Sequence, residues 1–229
     1  SRLGRAYGVY ALTDEAYALV STAPSATLTG PMILPTQVGL HVAWVSGSLV
    51  LFVTFAMGFT GYSLVYDNVS YWGMTVVTSM IGALPIVGTP LLHLLRGGEE
   101  VSGNTLLRLY DLHTKLLPVL MGALVAGHVV VVRLLGFANV EGSRGFHSFY
   151  PEHTLKMAAI AVGFLVLIVD LVMIFPPTLG PPANPQEVAS DVSPPWYFSA
   201  PYMWISLLPG SVAIWSLLGG AGLFVAYPF

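Results

Sequence analysis

The chain has 229 residues, 55% of them hydrophobic and only 8% charged, about a third of the charged fraction usual in soluble domains, with a mean hydropathy of +0.76 and a formal net charge of −3. This composition excludes an ordinary soluble enzyme, a disordered chain and a nucleic-acid binder, and fits an all-α polytopic membrane protein. With no cysteine, the chain can hold no iron–sulfur cluster by thiolates, form no disulfide and attach no haem covalently, so any redox group in it must be held by histidine.

Residues 1–36 contain Asp14, Glu15, Pro24, Pro31 and Pro35 and no apolar stretch of membrane-spanning length. They are expected to lie outside the membrane, with room for one short amphipathic helix and no signal peptide. Residues 37–229 are expected to form the transmembrane domain, with about four spans. Val38 to Tyr62 carries no charge and only His41 as an ionisable group, enough for about 37 Å of helix. A second span is expected from about His113 to Leu135, after the polar run Arg108-Leu109-Tyr110-Asp111. The third covers roughly Leu155 to Pro176, with Asp170 inside it and the Pro176-Pro177 pair stopping it. The fourth, from about Met203 to Phe229, is uncharged. Between the first two spans the connection carries Tyr71, Trp72, Met74, Val76, Val77, Met80 and Ile81, too apolar for a solvated loop. Two short interfacial helices, broken near Pro85 and Gly88, are expected there.

Arg2 and Arg5 precede the first span, Arg133, Arg144 and Lys156 flank the connection from the second to the third, and residues 177–202 have no Lys or Arg. The positive-inside rule then puts the N-terminus and residues 136–155 inside, and the 63–112 and 177–202 connections together outside. Arg96 and Arg108 count weakly against this, because long segments translocate regardless of charge.

His113 and His128 lie fifteen residues apart on the second span, about 22 Å along the axis and about 60° in angle. One helix at that separation cannot supply both axial ligands of one haem. As ligands they would serve two stacked haems, one per leaflet, each needing a second histidine from a facing helix, with Gly122 and Gly127 letting a flat macrocycle approach. On spacing alone, an interfacial histidine and a satisfied intramembrane one remain the alternative.

The runs Gly61-Tyr62-Ser63-Leu64, Tyr71-Trp72-Gly73-Met74-Thr75-Val76-Val77-Thr78 and Ala83-Leu84-Pro85-Ile86-Val87-Gly88 resemble the third helix and following interfacial helices of cytochrome b, the membrane subunit of cytochrome bc1 and b6f complexes. Thr105-Leu106-Leu107-Arg108-Leu109-Tyr110-Asp111-Leu112-His113, Leu116-Leu117-Pro118 and His128 are similar to its fourth helix. Leu179-Gly180-Pro181-Pro182-Ala183-Asn184-Pro185 and Pro194-Pro195-Trp196-Tyr197-Phe198 resemble the loop before its sixth helix.

The resemblance implies a quinol:cytochrome c (or plastocyanin-type acceptor) oxidoreductase in an energy-transducing membrane, either a bacterial plasma membrane or an organelle inner membrane. Quinol would be oxidised at an outer site, one electron going to a Rieske iron–sulfur protein and the other across the membrane by two b haems to an inner quinone, coupled to proton translocation. It implies His113 and His128 as axial ligands of the haem irons near the outer and inner surfaces. Arg108 would be a partner of a haem propionate or else an interfacial anchor. Tyr62, Gly73, Pro194, Trp196, Tyr197 and Tyr202 would form the outer quinol pocket, Gly73 leaving space for the ring. A c-type cytochrome and a dimeric complex are implied as well.

The sequence departs from the family in several places. The two helices that precede the third one there, including the one that carries the other two haem histidines, are not among the matched segments, and His41 starts the third helix and cannot replace them. A further chain or segment is therefore expected to supply them. The Pro-Glu-Trp-Tyr motif reads Pro194-Pro195-Trp196-Tyr197, leaving Asp191 or Glu187 as conjectural proton acceptors. Asp67 adds an acid near the same pocket. The Lys-Asp pair before the fifth helix reads Lys156-Met157. His147 and His153 would more readily be solvated than form a zinc pair, and Asp170 would pair with a neighbouring helix or line a proton path. The competing expectation is a degenerate cytochrome b-like scaffold that keeps the fold without quinol turnover.

Overall fold

A computed structural model describes residues 30–135, 149–190 and 192–227; the expected amphipathic helix within residues 1–36, together with Asp191 and His147, lies outside them, apart from residues 30–36. Among the described residues the protein is helical: α1 (Gly30–Ser63), α2 (Asn68–Gly82), α3 (Gly88–Arg96), α4 (Gly103–Asp111), α5 (Leu117–Leu135), α6 (Thr154–Ile174), α7 (Ser199–Ser206) and α8 (Gly210–Ala226). Three stretches are long and apolar enough to cross a membrane: Gln37–Ser63, Gly103–Leu134 and Tyr150–Ile174. Two compact units result, one of residues 1–138 with 181–229, the other of residues 139–180, which holds α6.

Helix α1 satisfies its hydroxyls internally, as hydrocarbon demands. Ser48 Oγ donates to the Trp44 carbonyl at 2.9 Å, Thr54 Oγ1 to Val50 at 2.8 Å and Ser63 Oγ to Phe59 at 2.8 Å. The chain then turns through Tyr66, at φ +52°, to Asp67, whose carboxylate accepts the Ser70 N–H at 2.8 Å and caps α2. This is an ordinary N-cap, and it gives the extra acid noted in the sequence a structural partner.

The expected interfacial pair is present as α2 and α3. Gly97 ends α3 at φ +75°, a left-handed cap that glycine adopts without penalty. Arg96, the last residue of α3, is buried. Its Nε donates to Thr78 Oγ1 at 2.7 Å, Nη1 to the Glu99 carbonyl at 2.8 Å, and Nη2 to Thr75 O at 2.9 Å and Ser79 Oγ at 2.7 Å. Its own carbonyl accepts from Thr105 Oγ1 at 2.7 Å, so one residue ties α2, α3 and α4 together. Burial lowers the pKa of Arg96 from its ordinary value, with Tyr71 and Glu99 opposing. Beside it Tyr71, Met74, Val101 and Leu109 form the buried core, with Phe59, Leu64 and Leu112 packed against it. Burial, and then Tyr71, pushes the Tyr66 hydroxyl up.

The second span begins ten residues earlier than its charge pattern implies. Helix α4 runs into a π turn over Leu112–Leu116 and continues as α5, with the Leu117 N–H reaching back to the Leu112 carbonyl. Pro118 accounts for the widening, because it lacks an N–H and its ring crowds the carbonyl of Thr114. The polar run is tolerated because Lys115 Nζ and Asp111 Oδ1 pair at 2.6 Å on the exposed face.

The expected fourth span is interrupted. Pro209, in extended conformation, separates α7 from the 17-residue α8, which is about 26 Å long. Trp204 Nε1 donates across the break to Ser216 Oγ at 2.8 Å. Trp44 anchors α8 to α1, with its Nε1 on the Phe224 carbonyl at 2.9 Å and its ring 5.2 Å from that of Phe224. In the second unit α6 has no buried residue, and Asp170 is exposed on it. Lys156 pairs with Glu152 at 2.9 Å at its start.

Candidate functional site

His113 and His128 both turn towards α1, and each meets the same pair of residue types there. The Thr60 Oγ1 lies 3.0 Å from His113 Nδ1, and the Ser46 Oγ lies 3.0 Å from His128 Nδ1. Each hydroxyl is followed by a glycine. A Cβ at Gly61 would stand 2.8 Å from His113 Cε1, and one at Gly47 would stand 3.3 Å from His128 Cε1. The absence of a side chain at these two positions is what lets the imidazoles lie against α1.

The register is informative. Ser46-Gly47 and Thr60-Gly61 are fourteen residues apart, whereas the histidines are fifteen apart. A π turn carries one more residue than the α-helical turn it replaces, so the turn at Leu112–Leu116 absorbs the difference and brings both imidazoles level with a hydroxyl and a glycine. The glycines singled out in the sequence, Gly122 and Gly127, face open space instead. Gly47 and Gly61 went unnoticed, although the fourteen-residue recurrence of hydroxyl then glycine is visible in the sequence.

Both histidines are half-buried, and among the described residues neither Nε2 has a hydrogen-bond partner. An imidazole fixed through Nδ1, with Nε2 left to coordinate, is the usual arrangement of a histidine ligand. No cluster of three or more metal-ligating side chains occurs among the described residues. His41 is buried on α1, away from both positions in sequence.

A second feature is an apolar cavity of about 500 Å³ between α1, α2, α7, α8 and the segment before α7. Tyr62, Gly73, Pro194 and Tyr202 line it, joined by Phe55, Phe59, Phe198 and Pro195. Two other expected pocket residues stand apart. Trp196 is 85% exposed, and the Tyr197 ring packs against Gly58, with 3.3 Å from Cε2 to a Cβ placed there. The short 3-10 turn over Trp196–Phe198 explains this, since it turns consecutive residues to different sides and presents Phe198 to the cavity. Gly73 does leave space for a ring, but that ring is Tyr62, whose Cε1 is 3.2 Å from where a Cβ would be.

The cavity lining includes no Asp, Glu, His, Lys or Arg among the described residues; its polar groups are Tyr62, Ser193 and Tyr202. Glu187 is engaged outside it. The Glu187 carbonyl accepts from Trp72 Nε1 at 2.9 Å and Asn68 Nδ2 at 3.1 Å, and its carboxylate from Asn184 Nδ2 at 3.4 Å. Asn68 Oδ1 in turn accepts the Asn184 N–H at 3.0 Å, and Asp67 bridges to Pro182 in antiparallel fashion. Arg108 docks on the end of α3, donating from Nη1 to the carbonyls of Leu94 and His93. That is the favourable place for a cation at a helix C-terminus.

A helical membrane protein with two imidazoles at two depths of one span and an apolar cavity beside the facing helix is thus defined by geometry. The comparisons with known proteins give it a family. The family described as Cytochrome b(N-terminal)/b6/petB matches residues 40–182, and the chain belongs to that cytochrome b family. It is 30% identical to cytochrome b of Mycena viridimarginata and 31% identical to that of Candida albicans, in each case over 195 residues covering 81% of this chain and 50% of the relative. It is 30% identical to cytochrome b of Schizophyllum commune over 191 residues, covering 80% of this chain and 48% of the relative. The chain therefore spans about half the length of the curated relatives it matches. Its fold is similar to a chain of a solved structure titled Hyperthermophilic respiratory Complex III, with a TM-score of 0.66 and 22% identity, covering 99% of this chain and 71% of the other. Its family and its three long apolar helices make it a multi-pass protein of an energy-transducing membrane.

Proposed function

We propose that the chain is the electron-transfer core of a quinol oxidoreductase complex, supplying one axial ligand to each of two b haems and one wall of a quinol site. The observation that carries this reading is the paired placement of His113 and His128, each set against a hydroxyl and a glycine of α1 with Nε2 unengaged. The donor set fits haem b, because a neutral imidazole engaged through Nδ1 with its other ring nitrogen unengaged is a haem-iron ligand. Haem b, when bound, supplies one-electron redox chemistry at two depths of the membrane.

The chain's own residues do the rest. α1 holds each imidazole by Nδ1, and the π turn sets their register. A further chain or segment would complete the hold on each haem. Arg108 serves first as the cap of α3, which is the interfacial-anchor role; its remaining guanidinium donors would be the partner of a haem propionate. The cavity excludes water with Phe55, Phe59, Phe198 and Pro195 and offers only the hydroxyls of Tyr62, Tyr202 and Ser193 to a quinol ring. A Rieske iron–sulfur protein, a c-type cytochrome and a dimeric assembly complete the complex, with proton release at the cavity side.

A second reading is favoured by one observation: Pro195 replaces an acid, and no carboxylate lines the cavity among the described residues. On that reading the chain keeps the haems as an assembled scaffold and turns over little quinol. The test is a pyridine-haemochrome assay with reduced-minus-oxidised spectra on the native complex, alongside His113→Ala and His128→Ala. Two b haems in the parent, one lost per substitution, support the electron-transfer core. No haem at all overturns it. Quinol turnover by the haem-loaded complex, compared with Pro195→Glu, separates the core from the scaffold.

A further inference from the structure

The hydroxyls of Thr60 and Ser46, by which α1 meets the two imidazoles at 3.0 Å, can do more than hold the rings in place. We infer that Thr60 and Ser46 are positioning residues that fix the tautomer of His113 and His128 and set the reduction potentials of the two haems separately. The inference rests on the haem reading above. Its chemistry follows from where each hydroxyl proton goes.

Thr60 Oγ1 lies 2.8 Å from the Ala56 carbonyl and 3.2 Å from that of Met57, and Ser46 Oγ lies 2.9 Å from the Ala43 carbonyl. A hydroxyl has one proton to give and two lone pairs. With that proton on the carbonyl of the preceding turn, the oxygen faces Nδ1 as an acceptor. Nδ1 must then carry the ring proton, and Nε2 presents a lone pair. The opposite tautomer would carry an Nε2–H donor that meets no acceptor among the described residues, which is costly in hydrocarbon. The Nδ1–H to Oγ bond therefore holds each ring ready for coordination.

The same bond tunes the ligand. An acceptor on Nδ1–H raises the basicity of the imidazole and favours the more positive, ferric state of a metal on Nε2. Removing the acceptor therefore raises the reduction potential. Because Thr60 serves His113 and Ser46 serves His128, each hydroxyl acts on one haem and leaves the other alone.

The experiment is a redox titration of the two b-type signals in the native membrane complex. Thr60→Val is expected to raise one potential by up to a tenfold change in the oxidised-to-reduced ratio, about 59 mV for one electron, and leave the other in place. Ser46→Ala is expected to do the reverse, and Thr60→Ser to restore the parent value. Thr54→Val is the control, since the Thr54 hydroxyl bonds back to Val50 and touches neither histidine. If Thr60→Val loses its haem while Thr60→Ser keeps it at the parent potential, the hydroxyl is required and the inference stands. Haem retained with both potentials unmoved in Thr60→Val and Ser46→Ala overturns it, as does haem lost equally from Thr60→Ser. An unaltered chain without haem brings down the parent reading, an outcome visible before any variant is made.

Discussion

The segment from α2 to α4 and the helix α6 are both rich in apolar side chains, but they satisfy them in opposite ways. The first closes on itself: Met74 and Leu109 are fully buried, and Arg96 spends its guanidinium on hydroxyls and carbonyls of its own neighbourhood. The second leaves every residue from Leu155 to Ile174 exposed. The interfacial pair α2 and α3 must close against the start of the second span because water offers no apolar cover. A spanning helix of mean hydropathy 2.8 has lipid or neighbouring protein as its solvent and needs no interior from its own unit.

This contrast is open to mutation. The largest expected effect is at Arg96. Arg96→Met strips Thr78, Ser79, Thr75 and Glu99 of a shared charged donor and is expected to cost about 3–4 kcal/mol, read as a fall in the thermal midpoint of the detergent-solubilised complex. Next comes Gly88→Ala. A Cβ there would sit within 2.8 Å of three backbone atoms at Gly82 and Ile81, so α3 must part from α2, at a cost of about 2–3 kcal/mol; Gly98→Ala, with nothing within 4 Å, is the neutral comparison. Gly61→Ala is expected to reduce haem occupancy at His113 more than Gly47→Ala does at His128, since the clash is 2.8 Å against 3.3 Å. Haem-to-protein ratios by pyridine haemochrome measure this difference. The smallest effect is expected on α6, where Ile160→Ala should change the same thermal midpoint by the equivalent of less than about 0.5 kcal/mol. A large loss there would mean that a partner packs on that face.

What could be read in advance divides along the same line. Spans one and three were legible because twenty or more apolar residues with no charge in the first and only Lys156 and Asp170 in the third are a one-dimensional signal, and α2 and α3 were legible from aromatic content broken at Pro85 and Gly88. Pro209 was visible but hidden within an uncharged run, so hydropathy merged α7 and α8. The histidines were legible as a pair, but what they rest on was not. Their level match with Ser46-Gly47 and Thr60-Gly61 depends on the π turn before Pro118, and a count at 100° per residue has no way to register it. Trp196 stands outside the cavity because a three-residue 3-10 turn decides which aromatic faces inward. Arg108 has the chemistry for a carboxylate, and its contact with the carbonyls of His93 and Leu94 at the end of α3 is a tertiary one that the sequence does not display.

The loop from Pro181 to Glu187 reaches α2 chiefly through main-chain atoms: the Pro181 and Glu187 carbonyls and the Asn184 N–H, met by the Asn68 N–H and side chain and by Trp72. A fastening made of peptide groups places few demands on which side chains the loop carries. On the α2 side the fastening concentrates at Asn68, whose one side-chain amide meets both a donor and an acceptor of the loop.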